Sequence, residues 1–126
     1  MYIAKTLSGI SFEEAVEKVT ADLKEDKFGV LTEIDVKATL RKKLDVDFRK
    51  YVILGFCNPP FAHRALTLND KIGVLLPCNV IVQELDNAVE VFAMDPAAFM
   101  ANDENKELGR LAVDVSNILK RVIRDL

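Results

Sequence analysis

The stretch that most constrains the fold is the last one. Leu108, Leu111, Ala112, Val115, Leu119, Val122, Ile123 and Leu126 recur at helical spacing and form one sustained apolar stripe. Arg110, Asp114, Asn117, Arg121 and Asp125 take the wet side. Lys120, Arg121 and Arg124 stand near the end, where positive charge complements the helix dipole. A helix with so long a stripe has to lay it on a second layer. The rest of the chain must supply that layer.

It supplies short strands. Tyr2 to Leu7 (YIAKTL) alternates loosely and predicts a first strand. Ser11 with Glu14 makes a capping box, and Ile10 and Ala15 hold the staple positions. Phe12, Ala15, Val16, Val19 and Leu23 then give a helix with one apolar face. Gly29 is expected to provide the left-handed residue by which the chain leaves it. Val30 to Val36 (VLTEIDV) predicts a second strand, antiparallel to the first or near it. Val30, Thr32, Ile34 and Val36 would share one face, and Leu31, Glu33 and Asp35 the other.

Lys37 to Leu44 is a short basic helix, Asp45 to Arg49 a turn region, and Tyr51 to Phe56 a buried strand. Asn58 suits an N-cap, with Pro59 and Pro60 tolerated in the first turn. Phe61, Ala62, Ala65, Leu66 and Leu68 form the apolar side of that helix, and Asn69-Asp70 ends it. Lys71 to Leu76 fits no single state. Asn79 to Leu85 and Ala88 to Ala93 predict two strands joined by the loop Asp86-Asn87. Asp95-Pro96 opens a helical turn through Met100. The sum is one α+β domain over residues 1–126: a mostly antiparallel sheet of about five strands, with helices packed on one side.

Composition removes several function classes. With 126 residues, half of them apolar, the chain can hide roughly two thirds of its unfolded surface and needs no metal or disulfide to fold. The net charge of -3, the missing Trp and the lack of a basic stripe argue against nucleic acid. No apolar run approaches the ~20 residues of a membrane span. Met1 to Ile10 lacks the apolar core of a signal peptide. The expected compartment is the cytoplasm, with both cysteines reduced. The apolar share is generous for the chain's size, which suggests a surface reserved for a second subunit.

Candidate chemistry gathers between Leu54 and Val82. That stretch holds both cysteines, the only histidine and three of the four prolines. Cys57-Asn58 and Cys78-Asn79 mark its two corners, and Cys-x20-Cys matches no zinc or redox spacing. Cys57 precedes a helix start, where positive partial charge favours thiolate; the alternative is a small buried hydrophobe. His63 is a candidate base for Cys57, or simply an exposed polar residue. Arg64 could meet a carboxylate. The two prolines leave the helix start poor in donors, so it makes a weak anion cradle. Glu33 and Asp35 are paired carboxylates on one strand face, a pattern that serves acid-base chemistry or an ordinary wet face. No spacing among these residues defines a metal site.

The segments EIDVKATL (Glu33 to Leu40), ILGFCNPPFAHRAL (Ile53 to Leu66), IGVLLPCNVIV (Ile72 to Val82) and AMDPAAFM (Ala93 to Met100) resemble the domain-of-unknown-function 302 family of bacteria and archaea. The likeness covers nearly the whole chain. It implies a small α+β protein with a TATA-binding-protein-like arrangement of sheet and helices, packed as a homodimer. It carries over Glu33, Asp35, Cys57, Asn58, Pro59, Ala62, Leu66, Pro77, Cys78, Asn79, Asp95 and Pro96 as motif positions, with no catalytic role on any of them.

The expectation is therefore a non-enzymatic homodimer binding a small ligand or a partner protein, with no cofactor. Its site would lie near the Cys57-Asn58 and Cys78-Asn79 corners, drawing on Glu33, Asp35, His63 and Arg64 as further candidates. Two alternatives stand beside it. One is a thiol enzyme or redox sensor using Cys57, His63 and Cys78. The other is a soft-metal or haem-iron handling protein.

Overall fold

The structure, a computed structural model, describes residues 2–126. Its strands are β1 (Tyr2–Leu7), β2 (Gly29–Asp35), β3 (Tyr51–Cys57), β4 (Cys78–Leu85) and β5 (Ala88–Met94). They form one sheet in the order β1-β5-β4-β3-β2, antiparallel at every pairing. The helices are α1 (Phe12–Glu25), α2 (Val36–Leu44), α3 (Pro59–Leu68), α4 (Pro96–Met100) and α5 (Lys106–Arg124), with a 3-10 turn at Ile72–Leu75. The α+β class, the strand count and the helices on one face are as the sequence predicts.

The start of α1 follows its capping box. The Ser11 hydroxyl accepts from the Glu14 N–H at 3.0 Å, and the Glu14 carboxylate accepts from the Ser11 N–H at 3.4 Å. The end of α1 corrects the sequence reading. Lys27, with φ 70°, takes the left-handed position, and Gly29 is already the first residue of β2. The Phe28 N–H donates to Leu23 O and the Lys27 N–H to Lys24 O, a Schellman turn. It buries Phe28 with Leu23, so the reversal has to be complete one residue before Phe28.

β2 supplies a second correction. It lies at the opposite edge of the sheet from β1, whose neighbour is β5. Alternation of side chains fixes which face a residue takes but carries no information on which strand lies alongside. The register of β2 also slips between Val30 and Thr32, with Val30 opposite Phe56 and Thr32 opposite Gly55. Neighbours along β3 point to opposite faces, so Val30 does not share a face with Thr32 and Ile34.

The core sits on the inner face. Val52, Leu54 and Phe56 of β3, Val80 and Val82 of β4, and Val89 and Val91 of β5 are buried there. Ala15, Val19 and Leu23 of α1 cover them, together with Val115, Leu119, Val122 and Ile123 of α5. The stripe of α5 serves a second cluster as well. Its first turns, through Leu108, Leu111 and Ala112, pack on Ala65 of α3, Ile72 of the 3-10 turn and Met100 of α4. Gly109 makes that close approach possible, since a Cβ there would stand 2.7 Å from Ala101 O.

The outer face is different. Successive pairings line up Ala4, Phe92, Ile81, Ile53 and Ile34 in a single row across all five strands. None of the row is buried, and Ile34 is 48% exposed. Tyr2 stacks beside Phe92 with ring centroids 4.9 Å apart. A polar relay borders the row: Arg49 Nε donates to Gln83 Oε1 at 2.8 Å, and Gln83 Nε2 donates to Glu90 Oε1 at 2.8 Å.

Candidate functional site

β3 ends and β4 begins at adjoining points of the sheet. Phe56 is the cross-strand partner of Cys78, and Gly55 of Asn79. The two Cys-Asn corners, 21 positions apart in sequence, are therefore neighbours in space. The pleat sorts them. Cys78 shares the inner face with Phe56 and is buried, whereas Asn79 faces outward with Gly55 and is exposed. Gly55 is needed at that point, because a Cβ would stand 2.6 Å from Cγ of Pro77 and would also strike the Thr32 hydroxyl.

Asn58 caps α3 as expected. Its Oδ1 accepts from the Phe61 N–H at 3.3 Å, and its Nδ2 donates to Asp26 O at 3.4 Å. Asp26 in turn pairs with Arg121 of α5 at 2.7 Å. The cap thus ties the start of α3 to the end of α1 and to α5. Both hydrogen-bonding ends of the Asn58 amide are engaged in this work.

Cys57, Asn58 and Cys78 border one small cavity of about 50 Å³. It lies where the two apolar clusters meet, with Phe56 and Val115 from one and Ala65, Ile72, Leu108 and Leu111 from the other. Burial is the main reason the Cys78 thiol is pushed up to about 11, with the nearby Cys57 adding to it. Cys78 is thus held as a neutral thiol at physiological pH, which is the wrong state for a nucleophile. Both cysteines are free.

The other candidates lie elsewhere. His63 and Arg64 are exposed on α3, whose buried residue is Ala65. Two residues along a helix is about 200° of rotation, so Phe61 and Ala65 turn inward and His63 turns away from the cavity. Arg64 forms an ion pair with Glu107 of α5. Glu33 and Asp35 sit toward the far end of β2, where Asp35 pairs with Val52 while Gly29 pairs with Cys57. The Asp35 carboxylate caps α2 by accepting from the Ala38 N–H at 2.9 Å. Both carboxylates border a separate groove with Glu13, Glu17 and Lys50. Among the described residues, no group of three or more His, Cys, Asp or Glu side chains is placed to hold a metal ion.

Sequence reasoning missed the wall of the cavity, which is aliphatic and aromatic. The signal was present as two half-stripes, Phe61-Ala65 on α3 and Leu108-Leu111-Ala112 on α5, which face each other across it. Among the described residues no helix is long and apolar enough to cross a membrane.

The family model described as "Domain of unknown function DUF302" matches residues 3–126. A solved structure, the uncharacterized conserved protein DUF302 from Bacillus stearothermophilus, is similar at 27% sequence identity and a TM-score of 0.85. The likeness covers 97% of this chain and 96% of that one. No curated protein matches.

Proposed function

Since the chain belongs to the DUF302 family, whose description names no activity, we propose from its geometry that it is a non-enzymatic binding module. It works in the cytoplasm as a pair of identical chains, with a ligand site at the meeting of the Cys57-Asn58 and Cys78 corners. The observation that carries this reading is the apolar row on the outer face. Ala4, Phe92, Ile81, Ile53 and Ile34 span the sheet from edge to edge, and α1 and α5 leave them uncovered.

A second copy suits that row because the row has Ile81 at its centre. A two-fold axis through Ile81 along β4 would set Ile81 on Ile81, Phe92 on Ile53 and small Ala4 on Ile34. Such an interface is self-complementary, as a two-fold pair requires. The net charge of -3 and the apolar character of the row favour a protein partner over nucleic acid or an anionic membrane.

The same geometry weighs against a thiol enzyme. Cys57 has no base beside it in the cavity wall, since His63 faces solvent, and Cys78 is held protonated. Light scattering at micromolar concentration tests the proposal. The expected mass is twice the 14.1 kDa of one chain, and a mass of 14.1 kDa would remove the pair.

A further inference from the structure

We infer that the cavity between the two apolar clusters is a binding site for a small neutral apolar molecule, smaller than benzene, held beside Cys57. The inference rests on the reading of the corners as a ligand site and adds the chemistry of what they take. Size comes first. The cavity is about 50 Å³. A hydrocarbon-lined cavity of ~150 Å³ admits benzene or xenon, so one about a third that size takes an occupant of only a few heavy atoms.

The wall sets the polarity. Phe28, Phe56, Phe61, Ile72, Leu108 and Leu111 present hydrocarbon, and no charged side chain borders the space. The only side-chain amide there, Asn58, has its oxygen on the Phe61 N–H and its nitrogen on Asp26 O. The buried Cys78 thiol is a weak donor. A water needs two to four polar partners to settle, and the wall does not supply them. An ion would lose its hydration with nothing in return. A neutral apolar occupant gives up no hydrogen bonds or ionic hydration on entry and gains contact with both clusters.

Position gives such binding a consequence. The cavity is the seam between the sheet core and the unit made by α3, the 3-10 turn and α4. Phe61 packs against both clusters and stands in the wall. An occupant there would add contacts between the two clusters at the seam that Phe61 already bridges. It would slow the opening of α3 against α5 without altering the sheet.

Methyl NMR on the full chain, with dissolved xenon and then cyclopropane as probes, tests the inference. The expected result is a saturable shift of the Ile72, Leu108, Leu111 and Val115 methyls with either probe. Benzene, sulfate and acetate at the same concentrations should shift none of them. Ala112→Val, which adds carbon to the wall, should abolish the xenon shift. Phe61→Ala, which removes a whole ring from the wall, should admit benzene, so the test survives if the first variant fails to fold. Absence of any seam shift with xenon and cyclopropane would overturn the inference, as would equal binding of benzene by the unaltered chain. The probes report on the interior of one chain, whereas light scattering reports on its association. An empty seam and a missing pair are therefore distinguishable failures.

Discussion

Val80 and Val82 point to one face of the sheet; Ile81, between them, points to the other. The first two are fully buried, while Ile81 is only half-buried. β5 repeats the contrast, with Val91 sealed and Phe92 half-buried. Residue type does not separate the faces, since both are apolar at the centre. What separates them is cover: α1 and α5 close one face, and nothing in the same cluster closes the other. One set of strands thus carries a finished core on one side and an apolar row on the other that one chain leaves unfinished. On this account the second chain finishes it.

The strongest way to break that contrast is to remove cover from the finished side. Leu119→Ala takes a fully buried side chain from the stripe of α5. It should cost about 2–5 kcal/mol in urea unfolding, because the packed surroundings collapse only in part. Phe92→Ala, measured at a dilution where chains are single, should cost well below that. Equal losses would mean that both faces are equally closed within one chain.

Gly55→Ala sharpens the contrast at the outer face itself. Pro77 and Thr32 close over Gly55 there, leaving no room for a Cβ. Overpacking of this kind costs about 1–3 kcal/mol, read as a lower urea midpoint. An unchanged midpoint would mean that the outer face yields at that point.

The Cys78 thiol gives a comparison across pH. Burial on the inner face raises its folded value to about 11, while an unfolded thiol titrates near 8.5. The native state therefore keeps a proton that the unfolded chain releases. This contribution to stability is fully present below about pH 8.5 and is lost as pH rises toward 11. The loss should be on the order of 3 kcal/mol, and Cys78→Val should flatten it. A midpoint independent of pH over that window in the unaltered chain would contradict the burial. The smallest effect belongs to Arg64→Ala, whose pair with Glu107 is largely exposed. Exposed pairs contribute about 0–1 kcal/mol, so the melting temperature should barely move. A large drop would mean that α3 depends on this pair more than on the seam.

Much of the fold was legible in the sequence because its signals are local. The capping box at Ser11 and Glu14 predicts the start of α1 from four consecutive positions. Asn58 ahead of two prolines does the same for α3, and the stripe of α5 predicts its length. Strand order is not local, so placing β2 near β1 had no physical warrant beyond sequence proximity. The position of the left-handed residue is likewise not a local property. Glycine is the usual choice for that conformation, but burying Phe28 against Leu23 demanded it at Lys27.

The candidate site shows the same division. The clustering of rare residues marks Cys57 and Cys78 as candidates but does not tell whether they are close in space; the pairing of Phe56 with Cys78 brings them together. That His63 turns outward also follows from helical periodicity, once the buried side of α3 is known to be Phe61 and Ala65. The apolar character of the site was hidden because its wall comes from stripes that look like ordinary core. Asp35 was legible as a carboxylate but not as a cap, since its role depends on where α2 begins.

The most direct test of the unfinished face places one charge on it and one off it. Phe92→Glu puts a carboxylate in the row, next to its centre at Ile81, and Leu31→Glu puts one on the exposed edge strand, where Leu31 is 66% exposed. Sedimentation equilibrium at micromolar concentration should give a paired mass for the unaltered chain and for Leu31→Glu, and the mass of one chain for Phe92→Glu. A Phe92→Glu variant that stays paired, or an unaltered chain that sediments singly, would contradict the account.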